Sequence, residues 1–236
     1  MNLSEIMSQL ESLGSEQTKK TFCRHGAREP LFGVKIGDLK KLVKIVKKDQ
    51  ELALALYETG NYDAMYLAGL SVNPKELTKA TLEHWVQKAY THSIAEYTVA
   101  NVTAESNYAL ELAREWITDE KEMVATCSWS TYANYISITA DDQLNLPEIK
   151  DLLTHVEKNI HKERNRVRYT MNGFVIMVGA SVTPLHDAAM ETARKIGIVH
   201  VDVGNTACKV PVAADYITKV ENAGKLGSKK KTCICK

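Results

Sequence analysis

The reading turns on Arg164–Ala180, RNRVRYTMNGFVIMVGA. Three arginines, Arg164, Arg166 and Arg168, open it, with Lys158, His161 and Lys162 just upstream. An apolar run carrying Asn172, Gly173 and Phe174 follows. Arg168, Asn172 and Val175 fall at i, i+4 and i+7, so a basic end and a polar amide share one helical stripe. Gly173 and Gly179 are small enough to admit a neighbouring backbone. The stretch predicts a central helix that is either buried behind a charged entry or turned toward an anion.

Outward from it, almost every segment repeats near 3.6 residues, with Gly and Pro between segments. Leu3, Ile6, Leu10 and Leu13 predict an opening helix stopped by Gly14, and a second follows Ser15. Residues 27–37, AREPLFGVKIG, read as a loop that plugs the core with Leu31, Phe32 and Val34. Asp38 is the expected N-cap of LKKLVKIVKK, whose outer face holds Lys40, Lys41, Lys44, Lys47 and Lys48, solvated or set against phosphates. Asn61, Thr78 or Thr81, Ser93, Pro147, Pro184 and Pro211 mark further helix starts. Val199-His200-Val201 alternates like a strand but is too short to build a sheet. The sum is roughly twelve helices joined by short turns. That pattern predicts an all-α fold, an α-α superhelix of stacked helix pairs over residues 1–223, with a bundle as the alternative. Residues 224–236, GKLGSKKKTCICK, read as a mobile basic tail.

The net charge of the 236 residues is only +1, so affinity for nucleic acid has to come from uneven placement of cations. MNLSEIMSQLESLG carries two acids and is amphipathic, which predicts a helix and no secretory leader. No run approaches the ~18 apolar residues that span a bilayer, so the expectation is a cytoplasmic monomer without a membrane partner. Five cysteines lack CxxC spacing, which argues against a disulfide framework and a structural metal. The terminal Cys233-Ile-Cys235 is either a soft-metal ligand pair or a frayed end.

In LFGVKI (Leu31–Ile36), LKKLVKIVKK, LALALYETGNYDAMYLAGL, EYTVANV, the Trp116–Trp129 region and RYTMNGFVIMVGA, the sequence resembles the DNA alkylation repair family related to the AlkD glycosylases. The resemblance covers most of the chain and implies HEAT-like repeats in a C-shaped solenoid with a basic concave face for double-stranded DNA. It also implies excision of N3- or N7-alkylated purines without a metal or organic cofactor. Such a base is already cationic and leaves without a strong acid. One carboxylate then suffices to stabilise the sugar cation and position a water.

The chain departs from that pattern at the chemistry. Thr98-Val99 matches the pair preceding the family's aspartate, whose position falls on Ala100. The preceding tryptophan position falls on Glu96, and a second falls on Phe174. Met123-Val124-Ala125-Thr126 lacks the family's arginine. Glu96, one turn before Ala100, is the candidate catalytic carboxylate, against the plainer reading of an acid at a helix N-terminus. Lys35, Arg164, Arg166, Arg168 and Lys209 are the candidate DNA contacts. Tyr97, Ala100, Asn101, Trp129, Asn172 and Phe174 are the candidate cleft lining, although Trp129 also suits the core. The expectation is a DNA-binding member with a degraded catalytic site. A non-catalytic scaffold for nucleic acid or a protein partner is the alternative.

Overall fold

Fourteen α-helical segments account for most of residues 1–234, which the computed structural model describes. They are α1 (Leu3–Leu13), α2 (Glu16–Arg24), α3 (Ile36–Val46), α4 (Gln50–Glu58), α5 (Tyr62–Ser71) and α6 (Lys79–Lys88). Next come α7 (His92–Ile94) and α8 (Ala100–Glu105), fused into one rod by a π turn at Ala95–Val99. Then follow α9 (Ala109–Trp116), α10 (Glu122–Ile138), α11 (Leu146–Asn159), α12 (Asn165–Ser181), α13 (His186–Ile196) and α14 (Ala213–Asn222). No strand occurs among the described residues, 199–201 included.

Side-chain caps fix many of the starts. Asn2 and Glu5 form a reciprocal capping box on α1, and Asn61 accepts from the Asp63 and Ala64 amides at the head of α5. Two expected caps fall elsewhere. Lys35, not Asp38, precedes α3, and Asp38 lies in its first turn. Thr91, not Ser93, caps the rod that begins at His92.

The helices stack in two rows, as a HEAT-like superhelix requires. α5, the 92–105 rod, α10, α12 and α14 lie side by side, each against the next. α4, α6, α9, α11 and α13 back them in a second layer. α12, the stretch from which the reading began, touches α10, α11, α13 and α14. Gly179 permits this: a Cβ there would stand 2.5 Å from the Ile217 side chain of α14. Gly173, expected to do the same, faces open space.

Leu42, Leu56, Leu67 and Val175 are buried, and each such side chain contributes roughly 1.5–3 kcal/mol. Phe32 is only partly covered. One apolar cluster runs from Ile6 to Val102 and includes Ala100; the second holds Trp129, Tyr132, Phe174 and Val175.

The loop before α3 is pinned by one buried carboxylate. Asp63 accepts the amides of Phe32 at 2.6 Å, Gly33 at 3.0 Å and Val34 at 2.8 Å. The carboxylate thereby satisfies three donors that the loop leaves without partners.

Of the segment expected as a mobile tail, residues 227–234 lie packed against helices instead. The Gly227 amide donates to the Ala180 carbonyl and the Lys230 amide to that of Ser137. Lys229 reaches Asp141 at 2.8 Å. Glu105 accepts the Cys233 amide at 2.6 Å and that of Ile234 at 3.2 Å. Ile234 is buried in the cluster begun by Ile6. These bonds explain the outcome: Gly, Ser and Lys composition does not reveal backbone partners. Cys233 is buried, and Cys235 lies outside the described residues.

Candidate functional site

A cleft of about 580 Å³ opens between α2, the 92–105 rod, the starts of α10 and α12 and the loop before α14. Arg24, His25 and Gly26 border it from the end of α2, and His92, Ser93 and Tyr97 from the rod. Glu122 and Met123 enter from the first turn of α10, and Asn165, Arg166 and Tyr169 from that of α12. The loop containing Asp202, Gly204, Thr206 and Cys208 closes the remaining side. Asn165 fixes that loop: its Nδ2 donates to the Asp202 carbonyl at 2.8 Å and its Oδ1 accepts the Asp202 amide at 2.7 Å.

Arg166, which lines the cleft, meets the buried Glu96. Arg166 Nη2 donates to Glu96 Oε2 at 2.8 Å, and Nε donates to Oε1. The guanidinium also lies 3.8 Å over the Tyr169 ring, and the Arg166 amide donates to Glu122 at 2.6 Å. Burial raises the Glu96 carboxyl above the ordinary carboxylate value, against the pull of the adjacent guanidinium. The π turn sets the geometry of this region. The Ala100 amide bonds to Ala95, five residues back, and re-aims the side chains within the turn. Gly69 on α5 gives the turn room, since a Cβ there would meet Thr98 Cγ2 at 2.5 Å.

His92 and His25 face each other across the mouth, ring centroids 6.4 Å apart and edge to face. Burial first, then the charges of Arg166 and His25, lower the His92 imidazole to about 4. Imidazole at that position is therefore neutral near pH 7. The first turns of α10 and α12, each 17 residues long, open on the same space. Glu122 already accepts the Arg166 amide at the start of α12, and the two helix dipoles favour further negative charge in the same space.

The expected site residues divide into distinct groups. Tyr97 and Arg166 line the cleft, and Tyr97 is half exposed. Arg164 is turned inward, its Nη1 donating to the carbonyls of Asp119 at 2.8 Å and Glu120 at 2.6 Å. Arg168 binds Asn165 at 3.3 Å and leaves its buried Nε without a partner. Lys35 and Lys209 are exposed, Lys35 at the head of α3 and Lys209 just past the cleft-bordering loop. Of these five cations, Arg166 alone lines the cleft.

Four expected lining residues are core instead. Ala100 is 0% exposed. Trp129 and Phe174 pack edge to face at 5.2 Å, and Phe174 meets Tyr132 at 5.7 Å. Asn172 donates to the Pro211 carbonyl at 2.9 Å. Asn101 sits at the periphery, bonded to the Tyr97 carbonyl and to Asn134. Apolar packing outweighs the pull of a cleft for large aromatic rings, which bury the most area.

Arg24, His25, His92, Asn165 and Asp202 were not singled out in the sequence. Apart from the neighbours Arg24 and His25 they stand far apart along the chain and share no spacing, so the stacking of helices brings them together.

A model of the family described as DNA alkylation repair enzyme matches residues 6–217, and the chain belongs to that family. It is 37% identical over 230 residues to the uncharacterized protein Lmo0209 of Listeria monocytogenes, covering 95% of this chain and 100% of that one. A Listeria innocua protein, the uncharacterized Lin0241, is also 37% identical, over 227 residues covering 94% and 98% of the two chains. Among solved structures, one superposes with a TM-score of 0.92 at 38% identity and covers 100% of both chains. It is described as representing a new family of proteins related to the HEAT-like repeat DNA glycosylases, with affinity for branched DNA structures.

Proposed function

We propose that this chain binds DNA at the cleft, favours branched over linear forms, and excises no base there. What carries the reading is the partner of the cleft-lining Arg166: the buried Glu96 is bound through both oxygens to that guanidinium. A carboxylate so engaged is a structural counterion. Its lone pairs are directed at a guanidinium, leaving little charge for a sugar cation. The matching aspartate position, Ala100, is buried and apolar.

Affinity for DNA is supported by two observations of different kinds. The cleft gathers two helix N-termini with Arg24 and two imidazoles, a set suited to phosphate oxygens. The structure with a TM-score of 0.92 belongs to a protein with affinity for branched DNA. Phosphate contacts position a nucleic acid without reading its bases, so binding follows backbone shape and not sequence.

The test uses one preparation for two assays. Gel-shift titrations compare a four-way junction with a linear duplex, and base release is measured on DNA carrying 7-methylguanine. The expected result is tighter binding to the junction and no release above background. Release that Glu96→Gln abolishes would restore the catalytic reading; absence of binding to either DNA would remove the present one.

A further inference from the structure

Four exposed lysines, Lys40 and Lys44 on α3 and Lys47 and Lys48 directly after it, have no ion-pair partner among the described residues. Some solvent-facing lysines elsewhere are paired, although Lys150, Lys158, Lys162 and Lys219 are exposed without an ion pair among the described residues. Lys79 bridges Glu111 at 2.8 Å and Glu115 at 2.6 Å, Lys88 holds Glu58 at 2.6 Å, and Lys195 holds Glu191 at 2.9 Å. On α3 the single acid, Asp38, is taken by Lys41 at 2.6 Å. Asp49, at the far end, caps α4 through the Leu52 amide at 3.0 Å.

The spacing makes this a row. Lys40 and Lys44 follow at i and i+4, about 6 Å apart along the helix axis, and Lys47 and Lys48 continue just past the last helical residue, Val46. Like charges at that spacing oppose the helix that carries them. The helix dipole accounts for Lys47 and Lys48 near the C-terminal end, but it gives nothing to Lys40. In a chain whose net charge is +1, such a concentration is a local feature that an extended polyanion would neutralise.

The row is rigidly joined to the cleft. Arg24–Gly26 border the cleft, Asp63 pins the amides of residues 32–34, and α3 begins at Ile36. A branched nucleic acid extends more than one duplex arm from its junction. We propose that the α3 lysine row is a second phosphate-contacting surface, which receives a duplex arm of branched DNA whose junction lies at the cleft. This rests on the DNA-binding reading of the cleft and adds where a second arm is held.

The test is the full chain carrying K40Q/K44Q/K47Q/K48Q, titrated over a range of salt against a four-way junction and a linear duplex. All four side chains are exposed, so the melting temperature should hold or rise. If each lysine meets a phosphate, the junction's log K against log salt slope falls by about 3–4 units, with affinity down roughly tenfold or more at low salt. The linear duplex should change by less than about threefold. Unchanged junction binding would overturn the proposal while leaving the cleft reading intact, as would equal losses on both DNAs. So would tighter binding of the unsubstituted chain to vesicles of equimolar phosphatidylcholine and phosphatidylserine than to the junction. Failure of the unsubstituted chain to bind any DNA would instead remove the cleft reading itself.

Discussion

Glu96 and Arg166, 70 residues apart in sequence, form a two-point ion pair with 5% and 14% of their side chains exposed. Desolvating two charges offsets much of their attraction, so the net contribution of the pair is modest, while removing one partner strands the other.

Glu96→Gln or Arg166→Met alone is therefore expected to cost about 3–5 kcal/mol of stability. Glu96→Leu combined with Arg166→Met should recover most of it. Urea denaturation of the three proteins measures the coupling; simple additivity of the single losses would show that the pair does not act as a unit.

Installing the family's aspartate is expected to fail. Ala100→Asp places a carboxyl within the cluster that holds Val99 and Val102, at a cost of about 3 kcal/mol or more. The melting temperature should drop, and 7-methylguanine release should stay at background. Restored release at unchanged stability would contradict the buried placement of residue 100.

Acid should act through His92. Unfolded, its imidazole binds a proton near 6.5; folded, burial and the Arg166 charge delay this to about 4. Between those values the unfolded chain holds more protons, so this contribution is complete above pH 6.5 and is lost as pH falls toward 4. In His92→Gln the pH slope of stability over that window should flatten. Identical slopes would assign the acid sensitivity to another group.

The Asp63 latch predicts a local effect. Asp63→Ala leaves three amides of residues 32–34 without their acceptor, at roughly 1–3 kcal/mol each where no water replaces it. Hydrogen exchange at Phe32, Gly33 and Val34 should accelerate far more than exchange in α12. Uniform acceleration across the chain would mean that the loop is held by its packing and not by the carboxylate.

Much of the fold was legible because helix periodicity is a local signal, and α12 reads as the centre from its own residues. The site was not. Arg166 looked like a phosphate ligand because its partner, Glu96, lies on another rod, and Arg164 because its acceptors are backbone carbonyls with no sequence signature. The π turn at Ala95–Val99 also escaped, since helical spacing alone does not announce an inserted residue. Trp129 and Phe174 carried a residue type common to cores and nucleic-acid surfaces, and only their 5.2 Å contact decides between the two.

Ile234 shares one apolar cluster with Ile6 and Leu10, residues more than two hundred positions earlier in the sequence. Bringing such distant positions together costs loop entropy before any contact rewards it. Completing that cluster therefore requires docking a residue 129 positions beyond Glu105, whose carboxylate receives the Ile234 amide.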